Sequence, residues 1–233
     1  MGAHTDPFGA LDFLRGLPLF RDLKYAELEA IGAATTEQRV AAGAALFHRG
    51  DPCDGMYLIV LGRMKLALLA AAGAEKVIEI LGPGQSFGEA VMFIDRPHNL
   101  HAEALADCLL LHIGKAVILE TVDRDPAFAR RMLNELSLRQ CRLVADIEAY
   151  TLKNATNRVT GYLLAALEDH EPAPGQPADV LLAASKSVLA SRLNITREHF
   201  SRILHELSQA GLIRVSGRNI HILDRAGLRA HAS

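Results

Sequence analysis

A glycine-free stretch from Asp125 to Leu152 constrains the fold more than any other part of the sequence. Its one proline, Pro126, stands near the beginning, where the first turn of a helix tolerates proline. Apolar residues then recur in steps of four and three, the pattern of a helix that packs lengthwise against a partner helix. We therefore predict a long dimerisation helix, with burial along its own domain as the alternative. The predicted dimer-interface residues are Leu133, Leu136, Gln140, Leu143, Ile147 and Tyr150.

The region before this helix has a different residue pattern. From Thr36 to Ile113, glycines recur between short runs that are rich in β-forming residues. Such runs with glycine turns indicate an antiparallel sandwich, jelly roll or small barrel. The predicted strands are Ala45–Phe47, Met56–Val60, Met64–Leu69, Lys76–Ile80 and Cys108–Ile113, preceded by predicted helices over Leu11–Phe20 and Tyr25–Ala33.

The C-terminal segment predicts two helices joined by a short turn. After a helix over Thr156–Leu167 and a proline-rich loop over Glu171–Asp179, Ser187–Leu193 forms the first of the two, and Asn194-Ile195 makes the turn. The Thr196 hydroxyl is placed to cap the second helix. Its buried stripe is spaced as i, i+3, i+4 and i+7, and consists of Phe200, Ile203, Leu204 and Leu207.

The opposite face of the second helix has the chemistry of base recognition. A guanidinium pairs with guanine N7 and O6, a carboxylate accepts from cytosine N4, and a serine hydroxyl adapts to either. Ile213–Val215 and Ile220–Ile222 then form a hairpin near a basic tip, typical of a wing beside the phosphate backbone. An ordinary amphipathic helix with a charged exposed side is the alternative. The predicted DNA-binding residues are Thr196, Arg197, Glu198, Ser201, Arg202, His205 and Arg218.

Charge is distributed unevenly along the chain. The 233 residues are half hydrophobic and carry a net charge of −2, which excludes a disordered chain and at first argues against nucleic acid. Residues 1–151, however, carry 15 basic and 20 acidic side chains, whereas residues 152–233 carry 10 and 7. The basic surplus therefore lies in the half with the two-helix motif, where counterion release favours DNA binding.

Several function classes are excluded by missing motifs. No apolar run approaches the ~20 residues of a membrane helix, and Met1–Asp12 lacks the features of a secretory signal. We expect a cytoplasmic protein without a membrane partner. Cys53, Cys108 and Cys141 are too far apart for a zinc or cluster motif. Because no phosphate loop, nucleophile elbow, zinc-protease motif or dinucleotide fingerprint occurs, we expect neither an enzyme nor catalytic residues.

The residues as a whole resemble the bacterial regulators of the cyclic-AMP receptor protein and fumarate–nitrate reduction regulator (Crp/Fnr) superfamily. The resemblance implies an α+β fold with a cyclic-nucleotide-binding-type β-roll (jelly roll), a dimerisation helix and a winged helix-turn-helix. Glu198, Ser201 and Arg202 match the base-reading trio of the fumarate–nitrate branch, which implies a palindrome with TTGAT-like half-sites. The motifs that carry the resemblance are Gly50-Asp51, Tyr57–Ile59, Gly62–Lys65, Gly82–Gly84, Phe87–Glu89 and Thr196–Leu204.

The same resemblance guides the effector prediction. The four cluster cysteines of the fumarate–nitrate branch are absent, which argues against an iron–sulfur cluster. Cyclic-AMP binders hold the phosphate with an Arg-Ser pair, where this chain has His98 and Asn99, and a neutral imidazole and an amide bind phosphate more weakly. This argues against cyclic AMP. The predicted effector-pocket residues are Phe87, Gly88, Glu89, Met92, Phe93, His98 and Asn99.

Thr151–Thr156 and Glu89–Asp95 resemble the dissimilatory nitrate respiration regulators, which implies nitric-oxide sensing through haem. Haem needs an axial ligand, and the sequence does not choose among the available imidazoles, His98, His101, His112 and His170.

The predicted organisation has three parts: an effector-sensing domain over residues 1–122, a dimerisation helix over 123–151 and a DNA-binding domain over 152–233. We expect a homodimeric, effector-responsive transcription regulator whose partners are double-stranded DNA, RNA polymerase and a small-molecule or gas effector. The alternatives are a cyclic-nucleotide-gated or other ligand-gated regulator of the same fold, and a ligand-gated protein-binding module that does not read DNA.

Overall fold

A computed structural model describes residues 9–70, 73–168 and 178–231. The chain divides into two compact units. The first contains the described residues up to Gly73 together with Ile78–Gln140, and the second contains Ala74–Val77 and the described residues from Cys141 onward. Among the described residues, no helix has both the length and the apolar character needed to cross a membrane.

The first unit is built around two four-stranded antiparallel sheets, a β-roll. One sheet has the order β1-β8-β3-β6 and the other the order β2-β7-β4-β5. The strands are β1 (Thr35–Val40), β2 (Ala45–Phe47), β3 (Gly55–Leu61), β4 (Met64–Leu69), β5 (Glu75–Leu81), β6 (Ser86–Phe87), β7 (His101–Ala104) and β8 (Cys108–Gly114). The predicted jelly-roll class is therefore confirmed, and its five predicted strands all occur.

Strand register places apolar side chains in the interior. Strand β8 lies between β1 and β3, with Ile113 opposite both Thr35 and Met56. Residues Met56–Val60 of β3 are all buried, as expected for a strand that is covered on both faces. Two apolar clusters result, one that contains Met56 and Leu58 and a second that contains Tyr57 and Ile59.

Helices cover one of these clusters. They are α1 (Ala10–Gly16), α2 (Tyr25–Ala33), α3 (Glu89–Phe93), α4 (Lys115–Arg124) and the long α5 (Pro126–Leu152). Helix α5 contributes Phe128 and Met132, which pack with Leu14 and Phe20. The Asp125 carboxylate accepts a hydrogen bond of 2.8 Å from the Ala127 amide, which satisfies one of the free donors at the start of α5.

The second unit contains a helical domain with a small sheet. Its helices are α6 (Ala155–Glu168), α7 (Lys186–Arg192), α8 (Arg197–Gln209) and α9 (Arg225–Ala230), and its strands are β9 (Ala178–Leu181), β10 (Ile213–Ser216) and β11 (Asn219–Ile222). The sheet order is β10-β11-β9. The winged helix-turn-helix expected from the sequence is thus present, with a third strand added to the predicted hairpin.

Several boundaries differ from the prediction for local reasons. Helix α1 ends at Gly16 and not at Phe20, because Pro18 favours an extended Leu17, whose φ and ψ are −91° and 140°. The loop predicted over Glu171–Asp179 gives way to β9 at Ala178, and the rest of it lies outside the described residues. Helix α9 was not predicted. It begins after Asp224, whose side chain accepts a hydrogen bond of 2.9 Å from the Gly227 amide.

Candidate functional site

Helices α7 and α8 form the predicted two-helix motif. The Ser185 hydroxyl caps α7 and the Thr196 hydroxyl caps α8, where it accepts a hydrogen bond of 3.2 Å from the His199 amide. Between them, Asn194 adopts a left-handed φ of 57°, which asparagine tolerates better than most residues. The Ile195 amide donates to the Ala190 carbonyl at 3.0 Å, which closes the turn and sets the start of α8.

The buried and exposed faces of α8 match the sequence pattern. The stripe Phe200, Ile203, Leu204 and Leu207 is buried. Arg197, Glu198, Arg202 and His205 are exposed and Ser201 is half-buried. Arg202 Nε lies 3.8 Å from Glu206 Oε1, and both side chains are more than half exposed. An exposed ion pair of this kind is weak, so it leaves the Arg202 guanidinium available to a ligand.

The structure gives Thr196 and Arg218 an additional structural role. Thr196 is exposed, but its hydroxyl already caps α8. Arg218 lies in the turn between β10 and β11, and its Nη2 donates to the Leu182 carbonyl at 2.8 Å. The Leu182 amide in turn donates to the Arg218 carbonyl at 2.9 Å. Arg218 therefore fastens the wing to the end of β9 as well as carrying a charge near its tip.

The predicted apolar effector residues are divided between the two apolar clusters of the first unit. Phe87 lies in one apolar cluster with Phe47 and Tyr57, whereas Met92 and Phe93 pack in the other. Asn99 is exposed. Gly88 has a φ of 96°, and a β-carbon there would lie 3.3 Å from the Gly55 carbonyl oxygen, so a side chain would be strained at this turn.

His98 is buried within the first unit. Its ring stacks on Phe47 with 3.6 Å between ring centroids. Burial lowers the pKa of His98 below its usual 6.5, while Asp51 and Asp54 oppose this effect. The side chain is therefore a neutral aromatic packing element, not a cation that could hold a phosphate.

Glu89, one of the predicted effector residues, lies in a charged cluster with Arg139 and Glu79. Although only 3% exposed, its Oε1 lies 3.2 Å from Nη1 of Arg139 and accepts a hydrogen bond of 2.9 Å from the Ser86 hydroxyl. Arg139 comes from α5 and also lies 3.1 Å from Glu79 Oε2. Arg139 and Glu79 are not among the predicted site residues. For Arg139 the reason is that a charge beside a heptad seam normally indicates a solvated face.

Two of the imidazoles proposed as haem ligands, His101 and His112, lie beside carboxylates and aromatic rings. His112 Nε2 lies 3.1 Å from Asp54 Oδ1, and its ring centroid is 4.8 Å from that of Tyr57. His101 is buried, lies 3.7 Å from the Glu103 carboxylate and contacts the His48 ring. His170 lies outside the described residues.

Two of the three cysteines, Cys53 and Cys108, have weakly reactive thiols. The three cysteines are free. Burial raises the pKa of Cys53 and of Cys108, which keeps both thiols protonated and weakly reactive. Among the described residues, no group of three or more histidine, cysteine, aspartate or glutamate side chains is placed to hold a metal ion.

Exposed apolar residues mark the predicted dimer seam of α5. Leu133 is 63% exposed, Leu143 is 41% exposed and Ile147 is 62% exposed. Leu136 is half-buried and Gln140 is exposed. Tyr150 differs from these residues, because its hydroxyl is hydrogen-bonded to Arg192 of α7 in the same chain.

Comparisons with known proteins agree with this architecture. Residues 37–125 match the cyclic nucleotide-binding domain family, and residues 157–231 match the Crp-like helix-turn-helix domain family. The cyclic AMP receptor protein of Thermus thermophilus is 26% identical over 213 residues, which is 91% of this chain and 95% of that protein.

Two solved structures extend the comparison. FixK2 from Bradyrhizobium japonicum shares the fold, with a TM-score of 0.76 at 22% identity over 85% of this chain and 98% of that chain. DNR from Pseudomonas aeruginosa is 32% identical, with a TM-score of 0.51, over 96% of this chain and 97% of that chain.

The nucleotide-binding-domain family matches the N-terminal part of the chain and the helix-turn-helix family matches the C-terminal part. DNR is also more than 30% identical to this chain over nearly its whole length. The chain thus combines a β-roll, a long helix and a winged helix-turn-helix with an exposed polar face. The chain belongs to the Crp/Fnr family of DNA-binding transcription regulators, which are not enzymes.

Proposed function

We propose that this regulator binds, as a homodimer, a palindrome with TTGAT-like half-sites. The exposed face of α8 carries the proposal, because Arg197, Glu198, Arg202 and His205 stand free of the buried stripe on the opposite face. Such a helix enters the major groove with the residues of its N-terminal half against base edges. The guanidinium of Arg202 pairs with a guanine and the carboxylate of Glu198 with a cytosine amine.

A fluorescence-anisotropy titration tests this assignment. The full-length protein is titrated onto a duplex that carries the TTGAT palindrome and onto a duplex of equal length with both half-sites scrambled. We expect binding to the palindrome to be at least about 10³-fold tighter at the same salt concentration. Equal affinity for the two duplexes contradicts the half-site proposal.

The proposed division of labour assigns effector sensing to residues 1–122, dimerisation to 123–151 and DNA binding to 152–233. The exposed Leu133, Leu143 and Ile147 support a helix–helix dimer through α5, because an apolar seam on a solvated helix is stabilised by burial against a partner. Two α8 helices related by a two-fold axis then reach half-sites about 34 Å apart. RNA polymerase is the proposed protein partner at the promoter.

We propose an effector other than cyclic AMP. A relative is a cyclic AMP receptor protein, but this chain offers no cation where that ligand class needs one. His98 stacks on Phe47 in a neutral form and Asn99 is exposed. Isothermal titration calorimetry with cyclic AMP tests the proposal, and saturable heat at micromolar concentration contradicts it.

A nitric-oxide response through haem, of the dissimilatory nitrate respiration regulator type, is the second effector proposal. Its support is the sequence resemblance and the 32% identity to DNR. The arrangement does not favour haem, since His98 is stacked on Phe47, and His112 and His101 each lie beside a carboxylate, of Asp54 and Glu103 respectively. An absorption spectrum after haem reconstitution decides: a Soret band that shifts with nitric oxide supports this effector, and a featureless spectrum excludes it.

A further inference from the structure

We infer that Lys76, at the start of β5, is a site of covalent acylation by an acyl phosphate, and that acylation loosens the contact between β5 and the end of α7. The inference is independent of the proposed DNA and effector binding. All of the residues that carry it belong to the second unit, which includes Ala74–Val77. They are Lys76, Asp146, Tyr150, Arg158, Ser191 and Arg192.

The Lys76 ammonium group lies at the C-terminal end of α7. Its Nζ donates hydrogen bonds to the carbonyl oxygens of Ser191 at 2.8 Å and of Arg192 at 3.2 Å. The same Nζ lies 4.2 Å from the centroid of the Tyr150 ring. The last carbonyl groups of a helix and the face of an aromatic ring both favour a positive charge, so the charge of Lys76 contributes to this contact.

The surroundings of Lys76 contain more positive than negative charge. Burial and the guanidinium group of Arg192, together with that of Arg158, lower the pKa of Lys76 from 10.5 to about 8, while the Asp146 carboxylate opposes this effect. An ordinary lysine is almost entirely protonated at neutral pH. A desolvated lysine beside other cations instead has a substantial neutral fraction, which is the nucleophilic form.

Loss of one proton does not require Lys76 to give up its hydrogen bonds. An ammonium group has three N–H donors, two of which are used by the α7 carbonyls. The neutral amine keeps two N–H groups and gains a lone pair, which attacks the acyl carbon of the donor. The N–C bond forms, the bond from the acyl carbon to the bridging phosphate oxygen breaks, and inorganic phosphate leaves with that electron pair. One amine proton goes to solvent, and the product is a neutral amide.

The two guanidinium groups favour an anionic acyl donor. Arg158 donates through Nη1 to the Lys153 carbonyl at 2.9 Å and through Nη2 to the Asn194 carbonyl at 3.3 Å. Its buried Nε has no hydrogen-bond partner among the described residues. Guanidinium groups attract and pair with phosphate oxygens. A dianionic acyl phosphate is therefore drawn to Lys76, whereas a neutral ester gains nothing from these charges.

Acylation changes the contact between β5 and α7. The amide formed on Lys76 is uncharged and has one N–H group, so it keeps at most one of the two carbonyl bonds and loses the attraction of the Tyr150 ring. The adjacent Val77 amide donates to Ser191 Oγ at 2.9 Å, and that hydroxyl donates to the Glu75 carbonyl at 2.9 Å. Hydrogen exchange of the Val77 amide therefore reports whether the contact persists.

The test incubates the full-length protein with acetyl phosphate at neutral pH and follows the acetylation of each lysine by peptide mass mapping. Lys186, which is also half-buried and lies at the opposite end of α7, is the matched control, and the exposed Lys153 is a second. We expect Lys76 to react at least about fivefold faster than either, because its larger neutral fraction outweighs the lower nucleophilicity of a less basic amine.

A second donor and two variants test the role of the guanidinium groups. With p-nitrophenyl acetate, a neutral donor, the preference for Lys76 over Lys186 should be smaller than with acetyl phosphate. Arg158→Gln should slow acetylation of Lys76 by acetyl phosphate at least about twofold. Arg214→Gln removes an exposed arginine from the same unit and should leave the rate unchanged. If Arg158→Gln is not recovered folded, the comparison of the two donors on the wild type decides.

The inferred site is overturned if Lys76 reacts no faster than Lys186 and Lys153, if both donors show the same preference, or if Arg158→Gln leaves the rate at Lys76 unchanged. Unchanged exchange of the Val77 amide in the acetylated protein overturns the inferred loosening. Because DNA is absent from these measurements, each result leaves the proposed DNA binding untouched. Conversely, a failure to bind the TTGAT palindrome leaves the acylation site standing.

Discussion

The Tyr150 hydroxyl accepts a hydrogen bond of 2.6 Å from Nη1 of Arg192 and donates one of 2.5 Å to the Arg192 carbonyl oxygen. The same guanidinium lies 2.7 Å from the Asp146 carboxylate. Asp146 and Tyr150 are one turn apart on α5, and Arg192 ends α7. The last turns of the long helix are thus fastened directly to the helix that precedes α8.

Removal of the Tyr150 hydroxyl should loosen this junction. Tyr150→Phe keeps the ring but loses both hydrogen bonds and leaves part of the Arg192 group unpaired, at a cost of about 1–3 kcal/mol in the free energy of unfolding. Urea denaturation measures the loss. Tyr25→Phe, at a 67% exposed position, is the control and should change little. Equal stability of the two variants would show that the junction contributes nothing.

The dimer seam of α5 should be sensitive to a single charge. Ile147→Glu places a carboxylate within the predicted apolar seam, so the protein should become monomeric in sedimentation equilibrium and its melting temperature independent of concentration. Leu152→Glu, on the same helix but off the seam and 79% exposed, should remain dimeric. A dimeric Ile147→Glu variant would place the interface elsewhere.

Base discrimination should depend on Arg202. Arg202→Ala should lose about 1–3 kcal/mol of preference at one guanine of the half-site while its affinity for scrambled DNA changes little. Competition binding with single-base variants of the palindrome measures the preference. Glu206→Ala removes only the partner at 3.8 Å and should keep the preference. An Arg202→Ala protein that still discriminates the guanine sinks the recognition-helix assignment.

Arg197 and Arg218 should contribute to affinity for all DNA. Each alanine variant should weaken binding to specific and scrambled duplexes alike and lower the slope of log affinity against log salt by about 1. The two should differ in folding, because the Arg218 guanidinium also bonds the Leu182 carbonyl. Only Arg218→Ala should increase amide hydrogen exchange in the wing. An unchanged salt slope in both variants would exclude phosphate contacts by these residues.

Acid should destabilise the first unit through His98. Its folded-state pKa lies below the unfolded value of 6.5 because the ring is buried. Above pH 6.5 the ring is neutral in both states; below it, the unfolded chain binds a proton that the folded chain does not. The free energy of unfolding therefore falls with decreasing pH, with a slope of up to about 1.4 kcal/mol per pH unit from this group.

His98→Phe isolates this contribution. The variant keeps a ring to stack on Phe47 and cannot titrate, so its stability should decline less between pH 7 and pH 5 than that of the wild type. Denaturation curves at each pH give the difference in stability between the two proteins. Parallel pH profiles would show that His98 is not the responsible group.

Local periodicity was sufficient for the helix-turn-helix. The stripe Phe200, Ile203, Leu204 and Leu207 and the Thr196 cap lie within about three helical turns of sequence, so a 3.6-residue repeat predicts both the buried and the exposed face. Strand β9 and helix α9 carry no such repeat and were not predicted. The strand is short, and the Asp224 cap stands before a segment with a single buried apolar residue, Leu228.

The sequence by itself determined the β-rich region with its glycine turns, the long helix and the helix-turn-helix with its hairpin, because each depends on spacing between near neighbours. Only the tertiary structure decided which side chains meet across long separations. It joined Arg139 to Glu79 and Glu89, stacked His98 on Phe47 and turned Tyr150 towards Arg192. A charge pattern on one helix cannot specify a partner fifty residues away, since that choice is made by the packing of sheets and helices around a common core.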